Sequence, residues 1–427
     1  MYLVPIQVPI YLDGPRKLVT AEWHRSLFLL RDSFNGRFGE ITVAAPNLPA
    51  SIASPEQPLI EITDANEGVR LFPSFDKRCR MRSYWRRERK QWKADLRELT
   101  SQANVVHAGV DDVYRPISFE GFRTGVRMDK PTVFVQDTDN VVQQTQLFAD
   151  KPWRQRKQTA IYTWIYERMC RWAVARADLC LLKGSSLIER YNAYAKNAHE
   201  FHDTSYSLSD IITFGDLDRR VETLNKNRPL RFVYCGRLHP RKGIDRSLKI
   251  IAAARAMGGD VEFDIIGDGL ERANLEKQAR DDGIADIVRF HGAAPYGPEL
   301  LRRLSRFDAL LFTPTAEDTP RMIFDGYAAG LPLVAFDIGY VRERAAQEKA
   351  TYLLPRHRIT EAAERLATLC RERMELASLS KAARNAADYH ASENWYRRRA
   401  EWTIEAVMRH RAGVEPVAGA ISAGGML

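Results

Sequence analysis

TAEDTPRMIFDGYAAGLP, residues 315–332, sets Glu317 and Asp325 around a sharp helix start and then breaks at Gly330 and Pro332. Thr319 reads as an N-cap and Pro320 as the first helical residue, where a missing N–H costs nothing. Gly330 is the natural residue just past a helix, and Pro332 forbids continuation. The apolar run LPLVAFD that follows ends in an acid. The predicted unit is a loop, a helix over 319–330 and a buried strand. A helix N-terminus attracts anions, which makes the loop a candidate site.

The same rhythm extends outward through the second half of the chain. LRFVYCG (230–236) and VEFDIIG (261–267) read as buried strands, each followed by a helical pattern, from Ile244 and across GLERANLEKQARDDG. DIVRFHG (286–292), ELLRRLSRF (299–307) and DALLFTP (308–314) then lead into the opening stretch. Alternation at this spacing predicts a doubly wound parallel sheet, whose ligands bind beyond the carboxyl ends of the strands. The glycine-rich turns GRLHPRKG, GDG and HGAAPYG fall at those ends, as does Glu317. The first half repeats the theme with YLVPIQVPIYL as a first strand, then EITVAAP, NVVHAGV, PTVFVQD and DLCLLKG. Helices are expected near 20–33, 82–99 and 155–177. Residues 202–228 are polar and irregular and read as an interdomain connection. SENWYRRRAEWTIEAVMRH (392–410) is amphipathic, and the small-residue tail beyond it is expected to be disordered.

A chain of 427 residues exceeds a typical single core and points to two domains. Its five cysteines are scattered without a C-x-x-C pair, which speaks for reduced thiols and against a disulfide framework or a zinc site. The apolar N-terminus is interrupted by Pro5 and Pro9 and has no basic leader, so it reads as a strand and not as a signal peptide. No apolar run approaches the roughly 20 residues of a membrane span. The net charge is +9, and two clusters of cations with aromatic residues both lie in the first half. KRCRMRSYWRRERKQWKADLR (77–97) brings Arg86, Arg87, Lys90 and Trp92 together, and the stretch from KPWRQRK (151–157) brings Arg154, Lys157 and Trp164. Cations interleaved with indoles suit an anionic membrane surface. A solvated basic face is the plainer alternative, and no nucleic-acid motif accompanies either cluster.

Within GRLHPRKG, Arg237 and Lys242 sit between a strand and a helix N-terminus, where two cations suit a diphosphate. IIGDG supplies Gly267 and Asp268 but lacks the third glycine of a dinucleotide fingerprint, so it reads as a tight strand–helix turn. Asp137-Thr138-Asp139 closes an apolar strand and has a D-x-D form whose hard carboxylate oxygens suit a divalent cation under a diphosphate.

In this order the pieces resemble the retaining GT-B glycosyltransferases of the group-1 family. The resemblance rests on GRLHPRKG, IIGDG, VRFHGAAPYGPELLRRLSRFDALLFTP and TAEDTPRMIFDGYAAGLPLVAFDIG, covering roughly residues 230–345. The family pattern of a glutamate, seven residues and a second glutamate is met here as Glu317, seven residues and Asp325. The resemblance implies an α/β fold of two Rossmann-like doubly wound domains facing a cleft, with a C-terminal helix crossing back. The expected domains are 1–208 for the acceptor and 209–388 for the donor, then a helix over 389–412 and a tail over 413–427.

It further implies that Glu317 faces the donor sugar and Asp325 the ribose. Arg237 and Lys242 would grip the diphosphate, with Gly236, Gly267, Asp268 and Thr319 lining the donor site. His107 matches the first histidine of a family H-x-H pair, with Gly109 at the second; it is either a site-lining catalytic residue or a hydrogen-bonded core histidine. Asp13 and Gly14 match the loop after the first strand, and Asp137 is an acceptor-side candidate. The implied reaction moves a sugar from a UDP-, GDP- or ADP-sugar to a glycan or lipid-linked acceptor. It needs no metal or other cofactor, and the setting is polysaccharide or glycolipid biosynthesis in the cytoplasm or at the cytoplasmic membrane face. Asp318-Thr319 in place of the usual Gly-Phe, and the shorter Asp325, leave two rivals. One is a catalytically silent paralogue that binds nucleotide-sugars; the other is an oxidoreductase built on GDG.

Overall fold

The computed structural model describes residues 1–53, 58–63, 67–316 and 318–414. From 415 onward the expected tail lies outside the described residues, and so does Glu317. The chain divides into two units, Met1–His202 with Trp395–Leu427, and Asp203–Asn394.

The second unit is built on six parallel strands. They are β11 (Leu230–Cys235), β12 (Val261–Ile266), β13 (Val288–Phe290), β14 (Ala309–Phe312), β15 (Leu333–Phe336) and β16 (Thr351–Leu354). Their order is β13-β12-β11-β14-β15-β16, a doubly wound sheet whose strand order reverses between β11 and β14. Helices cover both faces of such a sheet, so its strands carry apolar residues on both sides. Phe232, Val233 and Tyr234 on β11 and all of β14 are buried accordingly. The register sets Phe232 beside Ala309 and Tyr234 beside Ile265, which aligns the carboxyl ends of β11, β12 and β14.

Two boundaries differ from those expected. Tyr206 is fully buried and donates its hydroxyl to Ala387 O at 2.7 Å, so the second unit begins at Asp203 and not at 209. His390, 1% exposed, bonds the Glu348 carboxylate at 3.0 Å and keeps the chain in that unit to Asn394 instead of 388. Nor is 202–228 irregular: Phe214–Glu222 is a helix capped by Thr213, whose hydroxyl accepts from Asp216 N at 3.1 Å.

The first unit carries ten strands among the described residues: β1 (Tyr2–Pro5), β2 (Ile10–Asp13), β3 (Arg16–Thr20), β4 (Ile41–Pro49), β5 (Leu59–Glu61), β6 (Val69–Asp76), β7 (Val105–Ala108), β8 (Thr132–Gln136), β9 (Leu179–Lys183) and β10 (Ala198–Phe201). The order β10-β9-β8-β7-β1-β4 is parallel throughout. The single first strand expected over 2–12 is two strands. Residues 6–9 leave the line after β1, and β2 turns back through Gly14-Pro15 to pair antiparallel with β3. Three helices of this unit matter below: α1 (Arg89–Gln102), α2 (Ile117–Arg127) and α3 (Trp153–Val174). On α1 the buried face is Trp92, Leu96, Leu99 and Thr100. Trp92 is therefore a core residue and not a surface one, packed edge-on against Phe75 at 6.3 Å.

In the second unit α4 (Ile244–Ala256) follows β11 and α5 (Met322–Ala328) follows β14. The helix α6 (Ser392–Ala412) starts in the second unit and from Trp395 belongs to the first, burying Trp395, Tyr396, Ala400, Thr403, Ala406 and Val407. No helix among the described residues is long and apolar enough to cross a membrane.

Candidate active site

The site of the second unit grows from the loops that leave β11, β12 and β14. After β11, Gly236 N donates to Ile266 O at 2.9 Å, Leu238 is buried, and Arg237 between them is left exposed. At Gly267 a Cβ would stand 1.9 Å from Gly236 O, so the ends of β11 and β12 touch only because that residue is glycine. Asp268 turns its carboxylate back onto Gly269 N at 2.7 Å and onto Arg272 at 2.9 Å, which holds its pKa below the usual range. It is a turn-closing residue.

The next turn, Pro240–Lys242, ends at Gly243 with φ +66, the left-handed conformation that glycine adopts without strain. A Cβ there would lie 1.9 Å from Thr313 O. Thr313 donates to Gly243 O at 2.8 Å and shares a hydrogen bond with Ser247 at 2.6 Å. Thr315 N reaches Arg241 O at 3.0 Å. The loop after β14 is thus stitched to the loop after β11 at the point where strand order reverses. The result is a bridge of charges. The Asp318 carboxylate accepts from Lys242 Nζ and, at 3.1 Å, from Arg241 Nη1. Lys242 and Asp318 are only 12% and 10% exposed. Burial pulls the lysine pKa down, while Asp318 pulls it up.

Asp325 sits on α5 and accepts the Tyr296 hydroxyl at 3.0 Å. It lies near Cys235 at the end of β11, whose thiol is pushed up to about 12 by burial and then by the Asp325 charge. The helix here is shorter than expected. It begins at Met322 with Arg321 as N-cap, so Thr319 caps nothing and precedes the helix. Seven residues are too few for an anion site at that terminus. Gly330 does end the element as expected, with φ +67. Arg241, Tyr296 and the pairing role of Asp318 were missed in the sequence. Only the proximity of Arg241 to Lys242 in one loop could have signalled them.

In the first unit the candidates scatter. Asp13 and Gly14 lie at the tip of the β2–β3 hairpin, where Asp13 pairs with Arg16 at 3.3 Å, and not in the loop after β1. His107 is buried on β7, its Nδ1 2.6 Å from the Tyr2 hydroxyl. Burial, and then Arg399 of α6, lower its pKa to about 3, so it is a neutral core histidine. At Gly109 a Cβ would stand 2.3 Å from Val135 O, so no second histidine fits there. Asp137 is exposed just past β8. Asp139 instead caps the Asn140–Leu147 helix through Val142 N at 3.0 Å and takes Ser186 and Arg190, each at 3.0 Å. Half of the D-x-D is therefore committed to structure. Beside Asp137 is an acid the sequence reading passed over. Asp111 follows β7, bonds Ser118, and has its carboxyl pushed up to about 6, mainly by burial.

Against this geometry the comparisons are specific. Residues 216–386 match the model of the family described as glycosyl transferases group 1. That stretch, most of the second unit, belongs to the group 1 glycosyltransferases. The chain is 27% identical over 145 residues to the UDP-N-acetylglucosamine–peptide N-acetylglucosaminyltransferase GtfA subunit of Streptococcus gordonii, covering 34% of this chain and 28% of that protein. It is 31% identical over 137 residues to the GDP-mannose-dependent alpha-mannosyltransferase of Mycobacterium tuberculosis, covering 31% of this chain and 33% of that one. The chain thus matches about a third or less of the length of these relatives. Solved structures cover nearly the whole chain. WaaG, a glycosyltransferase involved in lipopolysaccharide biosynthesis, superposes with a TM-score of 0.61 at 14% identity over 94% of this chain and 99% of that one. Anabaena HepE in complex with UDP gives 0.62 at 15%, over 95% and 98%. Identities that low establish the fold, and the fold is GT-B, with two Rossmann-like units.

Proposed function

We propose that this glycosyltransferase moves a sugar from a nucleotide diphosphate-sugar to a glycan or lipid-linked acceptor, with retention at the anomeric carbon, in polysaccharide or glycolipid assembly. The observation that carries the reading is the convergence of Arg237, Arg241 and Lys242 on the loops at the switch point of a parallel sheet. Diphosphates bind at such points, and fixed cations hold them without reorganisation. Asp325, oriented by Tyr296, would take the ribose hydroxyls. Glu317, outside the described residues, would face the transferring sugar. Gly236 and Gly267 give the donor close backbone approach. Thr319, Asp268, Asp13, Gly14 and His107 drop out of the set for the reasons above, and Asp111 joins Asp137 on the acceptor side.

The route that the family resemblance implies for retention is displacement on the front face, without a covalent nucleophile. The bond from the anomeric carbon to the β-phosphate oxygen breaks, the acceptor oxygen bonds to the same face, and its proton passes to the departing phosphate oxygen. The three cations stabilise the charge that grows there, so no metal is required. The names of the relatives speak for both UDP- and GDP-sugars, which leaves the base open. A thermal-shift and turnover screen across UDP-, GDP- and ADP-sugars tests the reading; no shift and no hydrolysis with any of them overturns it.

The second reading is a silent paralogue that binds nucleotide-sugars. It is favoured by the glycine forced at position 109 and by Asp318 standing on two of the cations. Donor binding without transfer or hydrolysis would select it.

We also propose contact with an anionic membrane surface at the cytoplasmic face. It would use Arg86, Arg87, Lys90, Arg154, Lys157 and Trp164, all exposed, with Trp153, 67% exposed, taking the place given to the buried Trp92.

A further inference from the structure

On the first unit, α1 and α2 lie side by side and enclose a cavity of about 330 Å³. Lys93 and Arg97 of α1 and Arg123 and Arg127 of α2 line it, each pair four residues apart and so on one face of its helix. The one acid in the lining is Glu120, 3% exposed, and it is already engaged. Arg89 holds it at 2.6 Å and Lys93 stands 3.9 Å away. Among the described residues the side chains of Arg97, Arg123 and Arg127 make no ion pair or hydrogen bond, and Arg123 feels the Glu120 charge only at longer range. Burial lowers the pKa of Arg123, and Arg127 lowers it further. Burial likewise lowers that of Lys93, where Arg89, Arg123 and Arg127 oppose the help of Glu120. Arg123 and Lys93 are half-buried and Arg97 and Arg127 exposed at the rim, and the four share one carboxylate that Arg89 already holds, an arrangement that an anion would relieve.

A second cavity, of about 620 Å³, shares Arg123 and Arg127 and continues toward α3, with Phe119, Trp164, Met169 and Trp172 in its wall. The charged pocket thus opens beside an aromatic one, and two guanidiniums stand at the join. Guanidinium forks match phosphate oxygens in pairs. The residues lie toward the C-terminal half of α2, the helix that leads into the start of β8. That is the end of the layer opposite the carboxyl ends of the strands, so the pocket is separate from the acids Asp111 and Asp137.

We propose that the pocket between α1 and α2 is a binding site for a phosphoryl group, gripped by Arg97, Arg123 and Arg127. An apolar portion of the same ligand lies along Trp164 and Trp172. The phosphoryl group belongs either to an anionic lipid headgroup or to a soluble polyphosphate. The test uses the full chain carrying Arg237→Ala and Lys242→Ala, which removes the proposed donor-phosphate grip from the measurement. On that background Arg123→Ala/Arg127→Ala is compared with Lys249→Ala/Lys277→Ala, which removes the same charge elsewhere, and with Arg123→Lys/Arg127→Lys. One arm titrates inorganic pyrophosphate by calorimetry. The other measures co-sedimentation with phosphatidylcholine vesicles with and without phosphatidic acid. Loss of more than about tenfold in affinity in the alanine pair, spared in the control and partly rescued by lysine, is expected in at least one arm. Loss with pyrophosphate identifies a soluble ligand, and loss with phosphatidic acid vesicles alone identifies a headgroup. If neither arm binds, or the control pair loses as much as the pocket pair, the basic faces are merely solvated and the proposal falls. Unchanged thermal melting of the alanine pair guards against misfolding as the cause.

Discussion

Lys242 and Asp318 form an ion pair between two loops that leave neighbouring strands, and Arg241 joins the same carboxylate. A carboxylate seated on two cations resembles a resident phosphate. On the proposed donor site, the diphosphate would have to displace it to reach Lys242. Asp318→Asn should therefore tighten binding of the matching nucleoside diphosphate, by about tenfold if the competition is worth some 1.4 kcal/mol. Calorimetry finding equal or weaker binding in Asp318→Asn would show that the acid orients the lysine instead of competing for it.

Arg237→Ala and Lys242→Ala should each weaken nucleoside diphosphate binding. Charge-assisted hydrogen bonds of this kind contribute roughly 1.5–3 kcal/mol each. Unchanged affinity in both variants would remove the donor-site assignment.

Glu317→Ala should lower kcat far more than it lowers nucleotide affinity, because its contacts would be to the sugar in transfer. Asp325→Ala should chiefly weaken nucleotide binding. Tyr296→Phe should follow Asp325→Ala in milder form, since it removes the hydroxyl that donates to that carboxylate. Identical kinetic signatures for positions 317 and 325 would refute this division of roles.

Transfer should survive excess EDTA. Asp139→Ala should instead lower the melting temperature, because it removes a helix cap worth about 1 kcal/mol together with the bond to Arg190. Activity abolished by EDTA and restored by Mn²⁺, with Asp137→Ala equally dead, would reinstate the D-x-D as a metal site.

The first unit should lose stability in acid. The pKa of His107 falls from 6.5 to about 3 on folding, and that of His199 to about 4. Between those values and 6.5 the unfolded chain binds more protons than the folded one, so stability rises with pH through that window and is flat above it. His107→Gln removes one of the two contributions. Chemical denaturation at several pH values between 4 and 8 should show a shallower slope in the variant, and an equal slope would contradict the assignment.

What was legible in the sequence followed from local rules. Strands such as LRFVYC and ALLF are apolar on both faces, and helices behind glycine turns declare themselves, so the second unit was readable almost throughout. Its boundaries were not, because Tyr206 and His390 look polar and loop-like until their partners Ala387 and Glu348 are known. Trp92 failed for a related reason. A basic helix with indoles on it does not say which indole faces the sheet, and Trp92 shares its face with Leu96 and Leu99. Thr319 obeyed every capping rule, yet the loop after β14 is held to Arg241 and the helix starts two residues after Pro320. The charge bridge at Asp318 joins positions 76 and 77 residues apart, beyond the reach of any motif.

The passage of α6 into the first unit bears on biosynthesis. Its Arg399 and Thr403 act on the Tyr2 hydroxyl, Trp402 stacks on His199 at 4.3 Å, and His410 bonds Asp178 at 2.9 Å. These partners of the first unit leave the ribosome only after residues 203–394, the whole of the second. Domains ordinarily mature in the order in which they are made. Here the first to emerge stays unfinished until α6 arrives, with the hydroxyl of Tyr2 uncovered, while the inserted unit closes on its own contiguous segment. A chain truncated after residue 394 would present a completed second unit beside a protease-sensitive first one.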